Sequence, residues 1–231
     1  MTTKIIDLTI VSITYNNNGI QNTIDSVLPI LNAGGKMVIQ NGGRELKVNH
    51  MGIAVHNEKD QGIYDAINKG ISQVKTKFFM LLHAGDTFVG SVHDLKTIIL
   101  KLEKSQKSIS LNSQHIGSRL HSSYNWRPWM LNFGVQPPHL PTIYRSETFV
   151  SEKYSINIPI IADFDFFYRN IAWKNAQWDN KLLVKMETGG VTSGGTQSFA
   201  IVSRCFIRTY GLKGVIMTLA RIPFKLLQSI K

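Results

Sequence analysis

The amino-acid sequence predicts an α/β fold, an open and mostly parallel sheet flanked by helices. Short runs of β-branched or apolar residues alternate with segments of helical periodicity over roughly the first hundred residues, a pattern typical of parallel strands joined by helices. The chain has 231 residues, of which 43% are hydrophobic, so it can bury a substantial core. It contains no low-complexity run and no evident repeat, which indicates a folded globular protein.

The first strand and helix lie at the start of the chain. The β-branched run DLTIVSIT, residues 7–14, predicts a short buried strand, and the polar turn YNNNG follows it. Helical spacing then relates four apolar residues, Ile20, Ile24, Val27 and Leu28. We expect Pro29 to help close this helix, because proline disfavours helix interiors.

The next predicted strands are KMVIQ, ended by a Gly42-Gly43 turn, and IAVHN. We expect Asp60 to cap the helix that follows, since aspartate is a preferred N-cap residue. The predicted buried face of this helix consists of Ile63, Ile67, Ile71 and Val74. The apolar run FFMLL predicts a central parallel strand. A last helix is marked by Leu95, Ile98, Ile99 and Leu102.

Polar side chains follow three of the predicted strands. They are Thr14-Tyr15-Asn16, Asn41 and the segment from His83 to Asp86. Open parallel sheets bind ligands at the carboxyl ends of their strands. The sequence therefore predicts a binding site at this edge of the sheet.

The pattern changes from about residue 108, where aromatic and proline-rich segments replace the regular alternation. A helix is predicted from about Asp163, with one face formed by Phe164, Phe167, Tyr168 and Ile171. The glycine-rich segment ETGGVTSGG then predicts a loop able to close over a ligand.

The net charge of +11 is concentrated at the end of the chain. No acidic residue follows Glu187, whereas six basic residues do: Arg204, Arg208, Lys213, Arg221, Lys225 and Lys231. Large hydrophobic residues lie between them, which favours either helices on a membrane surface or helices that pack their apolar side on the domain. Gly211, Gly214 and Pro223 predict two or three short helices here.

Several classes of protein do not fit this sequence. Cys205 is the single cysteine, which excludes an internal disulfide and a cysteine-based zinc site and suits a reducing cytoplasm. Asp7 interrupts the N-terminal apolar run, so we expect no secretory signal. No apolar stretch approaches the ~20 residues that span a bilayer. The chain lacks any nucleic-acid-binding pattern, and we expect no nucleic-acid partner.

Six motifs in order resemble the family 2 glycosyltransferases of the GT-A fold: VSITYNN, NEKDQGIYDAINKGI, LLHAGD, PPHLPTIYR, IADFDFFYR and TGGVTS. The bacterial branch that builds colanic acid, capsules and O-antigens is the most similar. The resemblance covers roughly residues 7 to 195, and GIYDAINKG is its most specific element. It implies transfer of a sugar from a nucleotide-diphosphate sugar to an acceptor hydroxyl, with inversion at the anomeric carbon. It also implies a Mn²⁺ or Mg²⁺ cofactor that bridges the diphosphate.

The resemblance assigns the two central carboxylates. Asp86 matches the last acid of the metal motif, and a hard cation prefers carboxylate and phosphate oxygens. The alternative for Asp86 is an acid that stabilises a turn. Asp163 matches the base that deprotonates the acceptor hydroxyl, the alternative being a helix cap. Asp165 is the second candidate for the base.

The resemblance also implies a set of residues that contact the donor: Thr14, Tyr15, Asn16, Asp60 and Asp65. Asp60 is equally typical of an N-cap, and Asp65 of an ion pair with Lys69 one helical turn later. His139 matches a histidine that the family usually follows with glutamine, whereas Leu140 follows here. Gly189 and Gly190 are expected to permit loop closure.

Two positions depart from the family's pattern. Asn41 stands where an acid normally accepts the N3–H of uracil, and the second acid of that motif is absent. An asparagine carbonyl accepts the same hydrogen bond, so a UDP-sugar donor is expected first and a dTDP-sugar second. His83 replaces the usual first residue of the metal motif and is a candidate for contact with ribose or metal.

The resemblance, together with the basic and apolar tail, thus implies an inverting glycosyltransferase acting on a lipid-linked surface-polysaccharide acceptor in the cytoplasm, on the inner face of the membrane. Residues 1–195 would form the catalytic domain, with a nucleotide-binding half (1–107) and an acceptor half (108–195), and residues 196–231 a basic amphipathic helical tail. An inactive nucleotide-sugar-binding subunit of an assembly complex is the non-enzymatic alternative. A nucleotidyltransferase is the second enzymatic alternative. Such enzymes generally have a glycine-rich loop with a basic residue after the first strand, and TYNNNG lacks that character.

Overall fold

A computed structural model describes residues 6–123, 126–149, 152–169, 175–187 and 195–229. The strands are β1 (Leu8–Thr14), β2 (Lys36–Asn41), β3 (Ile53–Asn57), β4 (Phe78–Leu81), β5 (Thr87–Phe88), β6 (Ile109–Ile116), β7 (Arg119–His121), β8 (Ile143–Arg145) and β9 (Ala176–Met186). The α-helices are α1 (Ile20–Asn32), α2 (Ile63–Ser72), α3 (Val92–Ser105), α4 (Ala162–Arg169), α5 (Gly195–Tyr210) and α6 (Leu212–Ser229). Two 3₁₀ helices span Pro128–Phe133 and Ser146–Phe149.

All the strands named above belong to one sheet, in the order β3-β2-β1-β4-β8-β6-β9-β5, with β7 paired to β6. The first four of these run parallel, as the alternation of strands and helices predicts. Their register places Thr14 opposite Asn41, and Asn41 opposite Asn57. The carboxyl ends of β1, β2 and β3 are therefore level, and the polar residues at these ends meet at one edge.

The other half of the sheet is mixed, so the predicted mostly parallel sheet is correct only for the first half. β8 runs antiparallel to both β4 and β6, whereas β9 runs parallel to β6 and antiparallel to β5. Most of the central residues of β9 are exposed or half-buried. Because such a strand has no need of alternating apolar residues, its sequence carries no strand signal.

Two local predictions about the helices are wrong. Pro29 lies inside α1, which continues to Asn32 because Ile30 and Leu31 still bury their side chains. The N-cap residue of α2 is Gly62 rather than Asp60, so no side chain caps this helix. Asp60 instead accepts a hydrogen bond from the Gly62 N–H at 3.0 Å, so it stabilises the turn before the helix.

The buried face of α2 also begins one residue later than predicted. Ile63 is 52% exposed, and Tyr64 turns inward in its place. At the centre of the helix, a Cβ atom on Gly70 would lie 2.8 Å from a methyl carbon of Val11 on β1. The helix therefore packs directly on the first strand, which fixes the position of Tyr64 near the edge of the sheet.

Two helices, α5 and α6, follow residue 194, which agrees with the predicted number, but they are not short as predicted. Gly211 separates them, whereas Gly214 and Pro223 lie inside α6. Phe206 of α5 packs against Phe164 of α4, with ring centroids 4.8 Å apart. The Tyr210 hydroxyl donates to Asp165 at 2.8 Å. One side of this helical pair thus packs on the domain, as one of the two interpretations of the tail predicts.

The opposite side of α6 carries exposed aliphatic side chains. Leu212, Ile216 and Leu219 are 77%, 52% and 59% exposed and lie on one face of the helix. We call these three residues the aliphatic stripe. In the described part of the chain, no helix has both the length and the apolarity needed to cross a bilayer.

Candidate active site

Two glycines bring the loops at the sheet edge into contact. A Cβ atom on Gly43 would lie 1.4 Å from the Tyr15 carbonyl oxygen, and one on Gly42 would lie 1.9 Å from the Asp60 carboxylate. Any side chain at these positions would force the loops apart. The turn after β2 therefore lies directly between the loop after β1 and Asp60.

The first loop has one buried and two exposed members. Thr14 is buried, and its hydroxyl accepts a hydrogen bond from the Asn17 N–H at 3.1 Å, which shapes the loop. Tyr15 is 66% exposed, and Asn16 is exposed beside it. The Tyr15 ring is thus available for stacking on a planar ligand at the edge of the sheet.

Asn41 uses its side chain to hold the second loop together. Its amide donates to the Arg44 carbonyl and to the Asn57 side-chain oxygen, both at 2.6 Å, while its own oxygen accepts from the Gly43 N–H at 3.1 Å. The residue is 1% exposed. Both amide hydrogens have protein partners, so the second lone pair of Oδ1 is the side chain's remaining hydrogen-bonding capacity.

The carboxylates of Asp65 and Asp60 each accept a hydrogen bond from a backbone N–H of the turn before α2. Asp65 accepts from the Gln61 N–H at 2.9 Å and forms an ion pair with Lys69 at 3.5 Å, as the i,i+4 spacing predicts. Lys69 is also 2.7 Å from Glu58. Asp65 therefore belongs to a small ion-pair network, whereas Asp60 lies against the Gly42-Gly43 turn at the edge of the sheet.

Thr23 on α1 organises the turn that carries Asp86. Its hydroxyl donates to the Asp86 carbonyl oxygen at 2.8 Å and accepts from the Gly85 N–H at 3.0 Å. Gly19 approaches the same turn so closely that a Cβ atom there would lie 2.7 Å from the Gly85 Cα. Thr23 is fully buried, and sequence reasoning missed this role because its partners are more than sixty residues away.

Replacing Thr23 with valine is expected to lower the free energy of unfolding by about 2 kcal/mol, because the nearly isosteric side chain leaves a buried carbonyl and a buried N–H unpaired. Thermal or urea unfolding measures this change. Thr23→Ser keeps the hydroxyl and should recover most of the loss. Equal stability of the valine variant and the wild type would contradict the role given to Thr23.

A second carboxylate lies beside Asp86. The Glu187 N–H donates to Asp86 Oδ1 at 3.0 Å, and a Cβ atom on Gly85 would lie 2.7 Å from Glu187 Oε2. Burial raises the pKa of the Asp86 carboxyl to about 6, and the charge of Glu187 adds to this rise. Sequence reasoning missed Glu187, although it is the last acid before the acid-free end of the chain.

This pair of carboxylates fits a divalent cation whose other ligands come from a bound diphosphate. Hard cations take oxygen ligands, and Mg²⁺ is commonly held by one or two carboxylates together with substrate phosphates. Within the described segments, no group of three or more His, Cys, Asp or Glu side chains is arranged to hold a metal. Asp86 and Glu187 would therefore hold the ion only in company with the ligand.

His83 and His139 are two histidine side chains near each other, and the pKa of each is lowered. Burial, and then the proximity of His139, lower the pKa of His83 to about 3, so its ring is uncharged at neutral pH. His83 Nδ1 is buried and has no hydrogen-bond partner among the described residues. His139 Nε2 lies 2.9 Å from the Tyr154 hydroxyl, and burial lowers its pKa, although the charge of Asp163 opposes this.

Asp163 is held at the start of α4 by three donors. Oδ1 accepts from the Phe164 N–H at 2.9 Å and from the Tyr64 hydroxyl at 3.3 Å. Oδ2 accepts from the side-chain amide of Gln136 at 2.6 Å. The residue is only half-buried, so its carboxylate is fixed in direction and still accessible to a small molecule.

Asp165, by contrast, is 2% exposed and has both oxygens engaged. Oδ2 accepts from Arg169 at 2.6 Å and Oδ1 from the Tyr210 hydroxyl at 2.8 Å. Because its two oxygens bind α4 and α5, Asp165 serves the packing of these helices. The geometry therefore favours Asp163 over Asp165 as a base.

Tyr64 and Gln136 are functional candidates that sequence reasoning missed. The single Tyr64 O–H proton is shared between the Ile160 carbonyl oxygen at 2.7 Å and Asp163 Oδ1 at 3.3 Å. Burial together with the Asp163 charge raises the pKa of Tyr64, which keeps it protonated. Gln136 Oε1 is buried and unpartnered among the described residues. Gln136 thus aligns Asp163 with its amide while its carbonyl oxygen is free to accept from a bound hydroxyl. Gly189 and Gly190 lie outside the described residues.

If Asp163 acts as a base, replacing Gln136 with leucine is expected to lower kcat about tenfold, the effect of one hydrogen bond to a charged group, with ligand affinity at the sheet edge unchanged. Steady-state kinetics and calorimetric titration measure the two effects. Gln177→Leu, on β9, is the matched control and should leave kcat unchanged. A fall in ligand affinity that matches the fall in kcat would instead place Gln136 in the ligand-binding site at the sheet edge.

Solved structures of TarS from S. aureus share the fold of this chain. TarS 1-349 superposes with a TM-score of 0.63 at 11% identity, over 96% of this chain and 74% of that one. Its complex with UDP-GlcNAc gives 0.64 at 11% identity, over 88% and 66%. Its complex with UDP gives 0.60 at 12% identity, over 87% and 65%. Comparison with protein-family models and with curated proteins found no match.

These similarities show that the chain has an α/β fold of the same kind as TarS. Identity at this level establishes fold and leaves function to be argued from the site. The chain spans about two thirds of the length of two of the three TarS chains compared.

Proposed function

We propose that the protein is a metal-dependent, inverting glycosyltransferase that uses a nucleotide-diphosphate sugar, with UDP-sugars first and dTDP-sugars second. The observation that carries this proposal is that two carboxylate sites lie near the same pair of histidines. Asp86 is buried and Glu187 is exposed beside it, and the Asp86 N–H donates to the His83 carbonyl oxygen at 3.0 Å. His83 lies near His139, and His139 lies near Asp163. TarS of S. aureus, which has the same fold, has been solved with UDP-GlcNAc and with UDP.

Each part of the site has a defined task in such a reaction. The loops around Tyr15, Gly43 and Asp60, which we call the donor edge, would receive the nucleoside, with the Tyr15 ring stacking on the nucleobase. Asp86 and Glu187 would hold Mn²⁺ or Mg²⁺, whose positive charge would stabilise the departing nucleoside diphosphate. The neutral rings of His83 and His139 keep an extra positive charge away from this region.

Asp163 would act as the general base. Its Oδ2 and Oδ1 are oriented by Gln136 and Tyr64, so the carboxylate accepts the acceptor's hydroxyl proton while the sugar is transferred. A single displacement with the base on one side of the anomeric carbon and the leaving group on the other inverts the configuration. The Asn41 amide hydrogens bind groups of its own loop and Asn57. Selection of the nucleobase would therefore depend on backbone groups and on the remaining lone pair of Asn41 Oδ1.

The test of this function is UDP release from a panel of UDP- and dTDP-sugars, with and without a bacterial lipid extract as acceptor. Nuclear magnetic resonance of the product would give the configuration at the transferred anomeric carbon. Metal-dependent release that the extract stimulates, with inversion, is the expected result. Binding of nucleotide sugars without any turnover would instead support the alternative of an inactive binding subunit.

We also propose that the acceptor is lipid-linked and that the protein works on the inner face of the cytoplasmic membrane. The aliphatic stripe of α6 supports this, since exposed large apolar side chains beside basic residues are typical of helices that lie on anionic lipid surfaces. Lys213 adjoins the stripe and is exposed.

Replacing Leu212, Ile216 and Leu219 with serine is expected to weaken binding to vesicles that contain phosphatidylglycerol by at least about tenfold, because each side chain would otherwise bury apolar surface in the lipid. Cosedimentation measures the binding. Leu100→Ser with Leu120→Ser removes exposed side chains elsewhere and is the control. Unchanged vesicle binding by the triple variant would refute the membrane role. Substitution is preferable to deletion after about Gly195, because deletion would also remove Phe206 from the core.

A further inference from the structure

A cleft of about 290 Å³ lies outside the donor edge, between the segment that precedes α4 and one side of α5. It is lined by Asn157, Ile158, Pro159, Arg204, Cys205, Arg208 and Thr209. Its floor is partly apolar, through Ile158, Pro159 and Cys205, while guanidinium, hydroxyl and amide groups stand around it. None of these residues takes part in the site described above.

The charge of the cleft is positive and not neutralised. Arg204 and Arg208 are exposed one helical turn apart on α5, and neither side chain forms an ion pair or a hydrogen bond with another described residue. The nearby acids Asp165 and Glu152 are both paired with Arg169. Two guanidinium groups on one helix face match the oxygens of a phosphate, which arginine binds through paired hydrogen bonds.

The wall of the cleft leads directly to the proposed base. Pro159 is four residues before Asp163, so their Cα atoms are at most about 14 Å apart. Between them, the Ile161 N–H donates to the Pro159 carbonyl at 2.7 Å around Ile160, which has a φ of 69°. This tight, strained turn, rare for a β-branched residue, is held by the Tyr64 hydroxyl that also contacts Asp163.

We propose that this cleft binds the phosphate of the lipid-linked acceptor, so that Arg204 and Arg208 position the acceptor whose hydroxyl Asp163 deprotonates. The assignment rests on the proposed function. An amphiphilic ligand fits the cleft because an apolar floor adjoins an unpaired cationic rim. A phospholipid headgroup offers the same phosphate chemistry, and the experiment separates the two sources.

The experiment is calorimetric titration with farnesyl diphosphate, a short isoprenoid diphosphate, in the presence of excess UDP and Mn²⁺ to occupy the donor site. Arg204→Gln with Arg208→Gln should bind farnesyl diphosphate at least about tenfold more weakly than wild type and bind UDP equally well. Asp86→Ala should show the reverse, with UDP binding lost and farnesyl diphosphate binding retained. Lys36→Gln with Lys104→Gln removes the same charge from exposed positions and should change neither.

The outcomes are distinct. Wild-type affinity for farnesyl diphosphate in the double arginine variant overturns the inference, and so does an equal loss in the double lysine variant, which would indicate general charge attraction. Arginine-dependent binding to phosphatidylglycerol vesicles that farnesyl diphosphate does not displace would also overturn it, since the source would then be the bilayer. If wild type binds no UDP yet binds farnesyl diphosphate through the two arginines, the phosphate cleft stands and the glycosyltransferase proposal fails.

Discussion

Replacing Asp163 with asparagine is expected to lower kcat for sugar transfer at least about a thousandfold, within the range that a general base contributes. Asparagine has the same shape but does not accept the acceptor's proton. The carboxylate also receives hydrogen bonds from Gln136 and Tyr64, which a carboxamide would reproduce only in part. Because Asp163 lies outside the donor edge, calorimetry should show unchanged affinity for UDP with Mn²⁺.

The control for this variant is Asp165→Asn, two positions further along α4. Asp165 joins Arg169 and Tyr210, so its replacement should lower thermal stability more than it lowers kcat. A pair of results in which Asp163→Asn stays active and Asp165→Asn does not would reverse the two roles. Wild-type turnover by Asp163→Asn alone would place the base elsewhere.

Replacing Asp86 with alanine is expected to abolish metal-dependent nucleotide binding, with a loss of UDP affinity of about a hundredfold or more in Mn²⁺, since the ion carries several kcal/mol of interaction with the diphosphate. The protein should remain folded, because the buried carboxyl is next to the like charge of Glu187, which opposes its ionisation. Titration of UDP with Mn²⁺, and again after chelation, measures the effect.

Glu187→Gln is the informative companion to Asp86→Ala. It retains the backbone N–H that donates to Asp86 and removes only the second carboxylate. We expect weaker Mn²⁺ dependence and an intermediate loss of UDP affinity. If Glu187→Gln binds UDP and Mn²⁺ as wild type does, Glu187 has no part in holding the ion. If Asp86→Ala binds UDP and Mn²⁺ as tightly as wild type does, the proposed metal site is wrong.

The sequence alone predicted the parallel half of the sheet and the edge where its polar residues meet. That prediction succeeded because buried parallel strands are short and apolar, and because the register places the strand ends level. The proximity of His83 to His139 was beyond sequence reasoning, since it follows from how β4 and β8 pair.

Contacts distant in the chain account for most of what sequence reasoning missed. Glu187 reaches Asp86 because β9 and β5 pair, an interaction between residues about a hundred positions apart. The side-chain amide of Gln136 donates to Asp163 from a loop whose sequence has no periodic pattern of apolar residues, so nothing in the sequence indicated this contact. Asp60 shows the opposite case, in which a strong local preference for capping yielded to the packing of its carboxylate against Gly42.

The tail shows why composition alone left two interpretations open. Phe206 and Tyr210 pack on α4, while Leu212, Ile216 and Leu219 remain exposed. The apolar residues of α5 and α6 thus divide between the core and the surface. The sequence does not reveal that division, because both sets recur at helical spacing.

The central claim, that the strand ends form a metal-dependent nucleotide site, is tested most directly by thermal unfolding with UDP, dTDP, GDP and CMP, each with and without Mn²⁺. A ligand present at about 100 times its Kd stabilises the folded state by about 2.7 kcal/mol, which raises Tm by roughly 5–10 °C for a chain of this size. We predict such a shift for UDP or dTDP that requires Mn²⁺ and that Asp86→Ala removes. No shift with any nucleotide, in protein shown to be folded, would contradict the account.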